Sequence, residues 1–571
     1  MTFVREPLQV VEIIQPLCSR TFGAAPCLAT GDRCWNTDAT CKFISALDLT
    51  ASVVMRFVMP AANRVLASGF QPGTAIPALL AVDTAPTVLN VGAGNDDLSP
   101  LGARAVAQVA IKDFPYNDVG FDPYLSTRSY NPVQRGSFWT KWLARNPYHV
   151  GYTLNIYDGY FGDDLSAMIK REYSIEKIDL TRSSVRITAK DILRKITDTK
   201  VKAPALSGGV LASAIAIGDT SMTVAGAVLA DYPATGWVRI GSELIAYTSR
   251  SLSGSNILFT GLTRGALNTT AAAQSQNAKV QRVLAYIDTP FHDIIYDLLT
   301  VWGEIPAAYI DKAAWDAEFN EWRALYRFTG YVTEPTDVDR LVGELSQQGL
   351  ANIWWDERVQ KIIFRAQRPN FAPRTLTQEG DIIADSFTVT EVAKDRASQV
   401  YVYFNPRNPV LSLTEKNSFA NAEVFIDVDK ERQYGETKVK EIFCRWVPTN
   451  VIARTLGEAY LRRFRDVRKQ ITFNLTAKDI SQVWTGDVLQ VRHFLLTDFT
   501  GAERVAPWLI TSAETVEQGG VYRFMAEDNE SGGLLWEFVA DSDPRPTTEI
   551  GCWVDANGTD GAGNIIPYGW I

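Results

Sequence analysis

A β-rich α+β fold spread over several domains is the expectation for this chain, and three observations lead to it. At 571 residues the chain exceeds what one hydrophobic core usually serves, ~100 to 200 residues per domain. Short apolar runs alternate at period two between Gly, Pro, Asn and Asp turn signals, and aromatics are generous, with 15 Trp, 21 Tyr and 26 Phe, as β-rich domains with large interfaces require. Helical spacing is confined to a few stretches, most of them past the midpoint.

The first segment, 1–48, carries four of the six cysteines, Cys18, Cys27, Cys34 and Cys41, at C-x8-C-x6-C-x6-C spacing. Gly23, Pro26 and Gly31 favour loops that wrap one centre. Four thiolates at one point suit an iron-sulfur cluster or a structural zinc, and paired disulfides are the third reading. The tight knuckles of structural zinc are absent, and MTFVREPLQVVEIIQPL carries acidic residues without a signal-peptide core, which speaks against an oxidising compartment. Spacing alone leaves all three open.

Residues 49–205 read as a β-domain: LTASVVMRFV, TVLNV, VAQVAIKDF, GYTLNIYDGYF with Leu154 and Ile156, and a strand with Val185 and Ile187 running into a helix start at Asp191. Its loop holds Asp113, Asp118 and Asp122, which a divalent cation would suit, but without EF-hand spacing a turn-rich loop is the better account. Residues 206–282 look like an inserted small β-module, with short strands broken at Gly218-Asp219, Gly241-Ser242 and Arg264-Gly265. In 283–370, Ile294, Ile295, Leu298, Leu299 and Trp302, then Trp315, Phe319, Trp322 and Tyr326, form helical core stripes. Thr336 and Asp339 spell a capping box for the next helix, and NIWWDERVQKIIFRAQ spells a hairpin. Residues 371–535 form a second β-domain that includes a helix with Ile452, Leu456, Tyr460 and Phe464 inward and a basic, solvated outer face. Cys444 reads as a small core residue, Cys552 receives no role, and the Gly-rich 536–571 reads as an interaction tail for a neighbouring chain.

Several function classes find little support. No apolar run reaches the ~18 residues of a membrane span, so a soluble product is expected. The net charge of -9 speaks against a duplex-binding surface, although an acidic wall would let DNA slide past. Only His149, His292 and His493 are present, which weakens hydrolase readings. Val91-Gly92-Ala93-Gly94-Asn95 is a lone Gly-x-Gly and reads as a turn. Asp163 with Asp164, and Asp356 with Glu357, are candidate paired carboxylates, but adjacent acids in a turn read better as solvated surface.

These stretches together resemble the tail-tip or baseplate hub proteins of long-tailed bacteriophages and gene transfer agents. IGSELIAYTS and LTRGALNTTAAAQSQNAKV are similar to a small β-module of phage virion proteins, with Gln274 and Asn277 standing where His and Gly are usual. VRITAKDILRKI, WWDERVQKIIFRAQRP, AYLRRFRDVRKQITFNLTAKD and TGDVLQV resemble hub β-domains that ring the end of the tail tube. The cysteine spacing resembles that of hub proteins of the lambda tail-tip type, which implies a 4Fe-4S cluster on Cys18, Cys27, Cys34 and Cys41, with zinc as the alternative. The resemblance implies a non-enzymatic virion part assembled in the host cytoplasm. It would be a homotrimer joining tail tube and tape-measure protein to fibres or spike, with DNA passing through its channel. Receptor or glycan binding is the alternative role, and a tail-associated wall hydrolase ranks last.

Overall fold

The computed structural model describes residues 6–19, 41, 43–60, 75–91, 102–115, 136–193, 201–367, 374–476, 483–498, 500–517 and 520–529. The fold is β-rich α+β, with several sheets and few helices. An eight-stranded N-terminal sheet runs in the order Ala75–Ile76, Ala51–Val58, Pro7–Leu17, Thr153–Tyr160, Ile169–Leu180, Ser184–Lys190, Val106–Lys112, Leu79–Ala85. Every pairing is antiparallel except that of the short first strand. Alternation places Val11, Ile13, Met55, Phe57, Val109, Ile111, Leu154 and Ile156 on one buried face. The helix Phe138–Arg145 covers that face with Phe138, Trp139 and Trp142, each worth ~1.5–3 kcal/mol on burial. Ser137 and Thr140 close a capping box at its start, and Asp113 Oδ1 accepts from the Trp139 amide at 3.2 Å. Past the strand Ser184–Lys190 the chain turns at 192–193, the rest of the stretch expected as a helix lies outside the described residues, and the Asp191 carboxylate accepts from the Ala105 amide at 3.3 Å.

The small module closes on itself. Val210–Leu211, Ser221–Ala225, Asn256–Thr260 and Ser249–Ser253 form one sheet, and Glu243–Tyr247, Gly236–Ile240 and Gln281–Arg282 form the other. Val224, Tyr232, Val238, Ile245, Ile257 and Phe259 fill the space between them. Its entry and exit are tied together, the Arg282 amide donating to Ser207 Oγ at 3.0 Å. Such a stem lets a module sit in a chain without disturbing what flanks it.

The central core draws on residues far apart in sequence. The helices Phe291–Asp297, Lys312–Trp322, Val338–Gln348 and Asn450–Phe464 share it with the hairpin Ala351–Asp356/Lys361–Ala366 and the sheet Phe419–Ile426, Gln399–Pro406, Val439–Phe443. Trp315, Phe319, Ile452, Leu456, Tyr460 and Phe464 point inward, and Cys444 is fully buried among them. Thr336 does not cap the helix that follows: it pairs with Ala203 in a short ladder, and its hydroxyl donates to Glu334 O at 3.0 Å. Nor is the Arg-rich run of the last helix wholly solvated. Arg463 and Arg468 are buried and converge on Glu527 at 3.2 and 2.6 Å, with Asp395 taking Arg468 at 2.7 Å.

A six-stranded C-terminal sheet completes the molecule, in the order Thr375–Thr377, Val488–Thr497, Glu503–Glu517, Val521–Asp528, Arg468–Thr476, Thr388–Val392. The stretch before Val91 crosses to it, the Leu89 amide donating to Thr511 O at 2.9 Å and Val88 bridging Ser512. Leu89 and Val91 then pack with Trp354, Val488 and Leu509, so hairpin, N-terminal body and C-terminal sheet share one apolar contact.

Candidate functional site

The cysteine segment is the connection between two adjacent strands. Pro7–Leu17 ends with Leu17 opposite Ala51, so residues 18–50 connect the facing ends of two neighbouring strands. The stem is clasped where the Ser19 amide donates to Asp48 O at 2.7 Å and its hydroxyl to Asp48 Oδ2 at 2.8 Å. Cys18 sits at the outgoing end, half-buried, and Cys41 precedes the turn Ile44–Ala46 that brings the chain back, also half-buried. Neither forms a disulfide. Cys27 and Cys34 lie outside the described residues, as do Cys552, Asp118, Asp122, Gly92 to Asn95 and the segment 536–571. Cys444 is pushed far up by burial and is inert as a thiolate.

The two carboxylate pairs differ. Asp163 and Asp164 occupy a surface turn in which Asp163 Oδ2 accepts from the Tyr160 amide at 3.1 Å. Asp356 and Glu357 are not solvated: they are 6% and 4% exposed, at a hairpin tip that has Arg171 and Asp191 near Glu357 on one side and Trp484 under Arg358 on the other. Beneath it lies a buried ion pair, Arg171 with Asp158, to which Gln9 Nε2 also donates at 2.8 Å. Burial disfavours the guanidinium charge, but Asp158 outweighs it and holds Arg171 protonated. Burial pushes the Tyr173 and Tyr522 phenols beside it well above the usual tyrosine range. Among the described residues Glu357 has no such dedicated cation. Burial raises it to about 7, Asp356 and Asp191 push the same way, and its own backbone amide and Arg171 pull back only in part.

The three histidines serve structure. His149 Nδ1 lies 3.0 Å from Asn146 O, and the His493 ring stacks on Phe387 at 3.8 Å. His292 Nε2 is 2.8 Å from Asp316 and 3.4 Å from Asp293, and one ligand atom from each lies within 4.8 Å of the others. That spacing would suit a metal, but the Lys312 ammonium already bridges both carboxylates, 2.7 Å from Asp293 and in contact with Asp316. Burial pushes His292 down and its neighbours keep Lys312 charged, so a lysine cation fills the place a metal would take.

One constellation escaped sequence reading. Glu243, fully buried in the small module, accepts Arg264 at 2.8 and 2.9 Å, the amides of Gly265 and Ala272 at 3.1 and 3.2 Å, and Gln274 Nε2 at 3.0 Å. Gln274 therefore has a structural task, holding the carboxylate that pins the module's long return loop. Burial opposes the charge, yet the Arg264 and Gln274 bonds and the two amides keep Glu243 below the usual carboxylate range. The signal was a lone acid in an apolar strand followed by Arg-Gly in GSELIAY…LTRG.

No family model matches the chain, and no curated protein matches it. Among solved structures, the 43 kDa tail protein of prophage MuSo2 from Shewanella oneidensis is similar at 9% identity and TM-score 0.38, covering 79% of this chain and 94% of that one. The tail protein from Neisseria meningitidis MC58 is similar at 9% identity and TM-score 0.37, covering 80% and 100%. A chain in the virion of a native gene transfer agent particle is similar at 14% identity and TM-score 0.31, covering 59% and 92%.

Proposed function

We propose that this chain is a structural part of a phage-type tail, the central hub of its tip or baseplate. Three copies would close a ring that joins the tube and tape-measure protein to fibres or spike and lets DNA pass without reading its sequence. The observation that carries this reading is the small module: the IGSELIAY and LTRG stretches that resemble phage virion proteins build one buried centre, Glu243 held by Arg264, and Gln274 joins it although it stands where that resemblance has His. A tied-off module on an otherwise continuous β-rich body suits an assembly part, which works through surfaces. Wall hydrolysis is disfavoured by geometry, since Asp163 lies on a surface turn and Glu357 is sealed from substrate.

In this reading Cys18, Cys27, Cys34 and Cys41 hold a 4Fe-4S cluster, with zinc the alternative. The cluster would act as a staple, fixing the loop against the strand ends that Ser19 and Asp48 clasp. Anaerobic purification tests it: iron and sulfide near stoichiometry with iron-sulfur absorbance, both lost on Cys18→Ser, are expected. Zinc alone, or no metal, would remove the cluster without touching the hub assignment. Receptor or glycan binding keeps one specific support, a cleft of about 460 Å³ between the small module and the central body, lined by Asn268, Asn405, Arg407 and Asn408. Retention of the purified chain on host surface polysaccharide would favour that role, and no retention would eliminate it.

A further inference from the structure

We propose that the seam between the N-terminal sheet, the Trp355 hairpin and the C-terminal sheet is a proton-operated joint, closed while the Glu357 carboxyl is uncharged and loosened when it ionises. The hairpin tip enters the seam with Asp356, Glu357 and Arg358 in sequence. Arg358 is turned back on its neighbour, its amide donating to Asp356 Oδ1 at 2.9 Å and its guanidinium lying 3.2 Å from Oδ2, with the planar group 5.0 Å from the Trp484 ring centre. From the N-terminal sheet, Arg171, Asp158, Tyr173 and Asp191 act on this region. From the C-terminal sheet come Tyr522, near Arg171, and Asp487, within reach of Arg358, Arg365 and Asp356.

Arg171 is the cation that acts on Glu357, and it is already neutralised by Asp158. Among the described residues an ionised Glu357 would therefore be a buried charge without a partner of its own, beside other carboxylates. Such a charge either takes a proton or pulls its element toward water. Burial sets the first outcome, lifting the group from its ordinary 4.5 to about 7. The closed seam keeps the proton up to about 7, and an opened hairpin releases it near 4.5. Between those values the closed state binds more protons, so closure weakens as pH rises. The contribution is whole below 4.5 and is lost as pH passes about 7. Asp487, also raised by burial, adds in the same direction, so the test must separate the two.

Hydrogen exchange on the full chain at about pH 5 and about pH 8, corrected for intrinsic rates, reads the joint in peptides from 351–366, 153–180 and 521–528. Opening should be at least about tenfold more frequent at the higher pH in the natural chain, as a shift of more than one unit requires, and Glu357→Gln should remove most of that difference, leaving what Asp487 adds. Equal opening in the natural chain, or an undiminished pH dependence in Glu357→Gln, would overturn the proposal. Should Glu357→Gln fail to fold, infrared titration of Asp487→Asn keeps the test alive. A buried carboxyl band lost around pH 7 supports the joint, and no carboxyl titrating between about pH 6 and pH 8 sinks it.

Discussion

Glu243 and Glu357 are both buried, and their surroundings send them opposite ways. Glu243 receives a two-pronged Arg264 and three further donors, so its charge is the stable form and Glu243→Gln strands the guanidinium. We expect that substitution to cost about 3–5 kcal/mol, read by denaturation followed through Trp237, which sits on the module's strand Gly236–Ile240. A loss below about 1 kcal/mol would show the pair to be incidental. The sign with pH is the reverse of the joint's. Glu243 lies below its ordinary value of 4.5, so its contribution is whole above that value and is lost as pH falls through the lowered one. The module should hold its exchange protection from neutral pH down to about 5, and loosening within that range would contradict the assignment. Cys444 was legible as a core residue because it alternates with Ile442 and Trp446 in the strand-like run EIFCRWV. Asp356 and Glu357 were not, because a turn reading Asp-Glu-Arg looks solvated until two other bodies close over it.

At the scale of elements, periodicity served well where one face decides burial. The stripe Ile452, Leu456, Tyr460 and Phe464 is on the page of the sequence, and so is the core of the helix Lys312–Trp322. What periodicity could not show is which side chains the opposite face meets. Arg463 and Arg468 read as a solvated basic run, yet Glu527 from a strand sixty-odd residues on draws them inside. Thr336 carries the letters of a cap, but ladder pairing with Ala203 takes its backbone out of that role, so Thr336→Ala should change stability by less than about 0.5 kcal/mol. A loss near 1 kcal/mol or more in thermal unfolding would instead restore the cap. Gly457 gives a sharper prediction. Alanine in mid-helix would ordinarily gain about 1 kcal/mol, but a Cβ there meets the Phe425 ring at 2.2 and 2.4 Å. Overpacking of that kind costs about 1–3 kcal/mol and reaches the rigid side of the sheet, so we expect Gly457→Ala to lower the denaturation midpoint, and a rise would refute the packing.

At the scale of the whole molecule, the β-rich α+β class was readable from alternation and turn spacing alone. The way the bodies join was not, since Val88 with Ser512, and the Asp158–Arg171 pair with Glu357, bring together residues far apart in the sequence. The segment that carries the four cysteines connects two adjacent strands, a placement that the sequence did not show. Breaking the seam from below should loosen both sheets: Arg171→Met, which leaves Asp158 buried and unpaired, should cost about 3–5 kcal/mol and raise exchange in the strands 153–180 and 521–528 together. Exchange confined to one sheet would mean that the bodies are independent. The hub assignment itself is tested most directly by counting the chain in purified tailed particles by quantitative mass spectrometry, with labelling to locate it. We expect it at the tail end in a multiple of three copies. Its absence from finished particles, or any other copy number, would contradict the account.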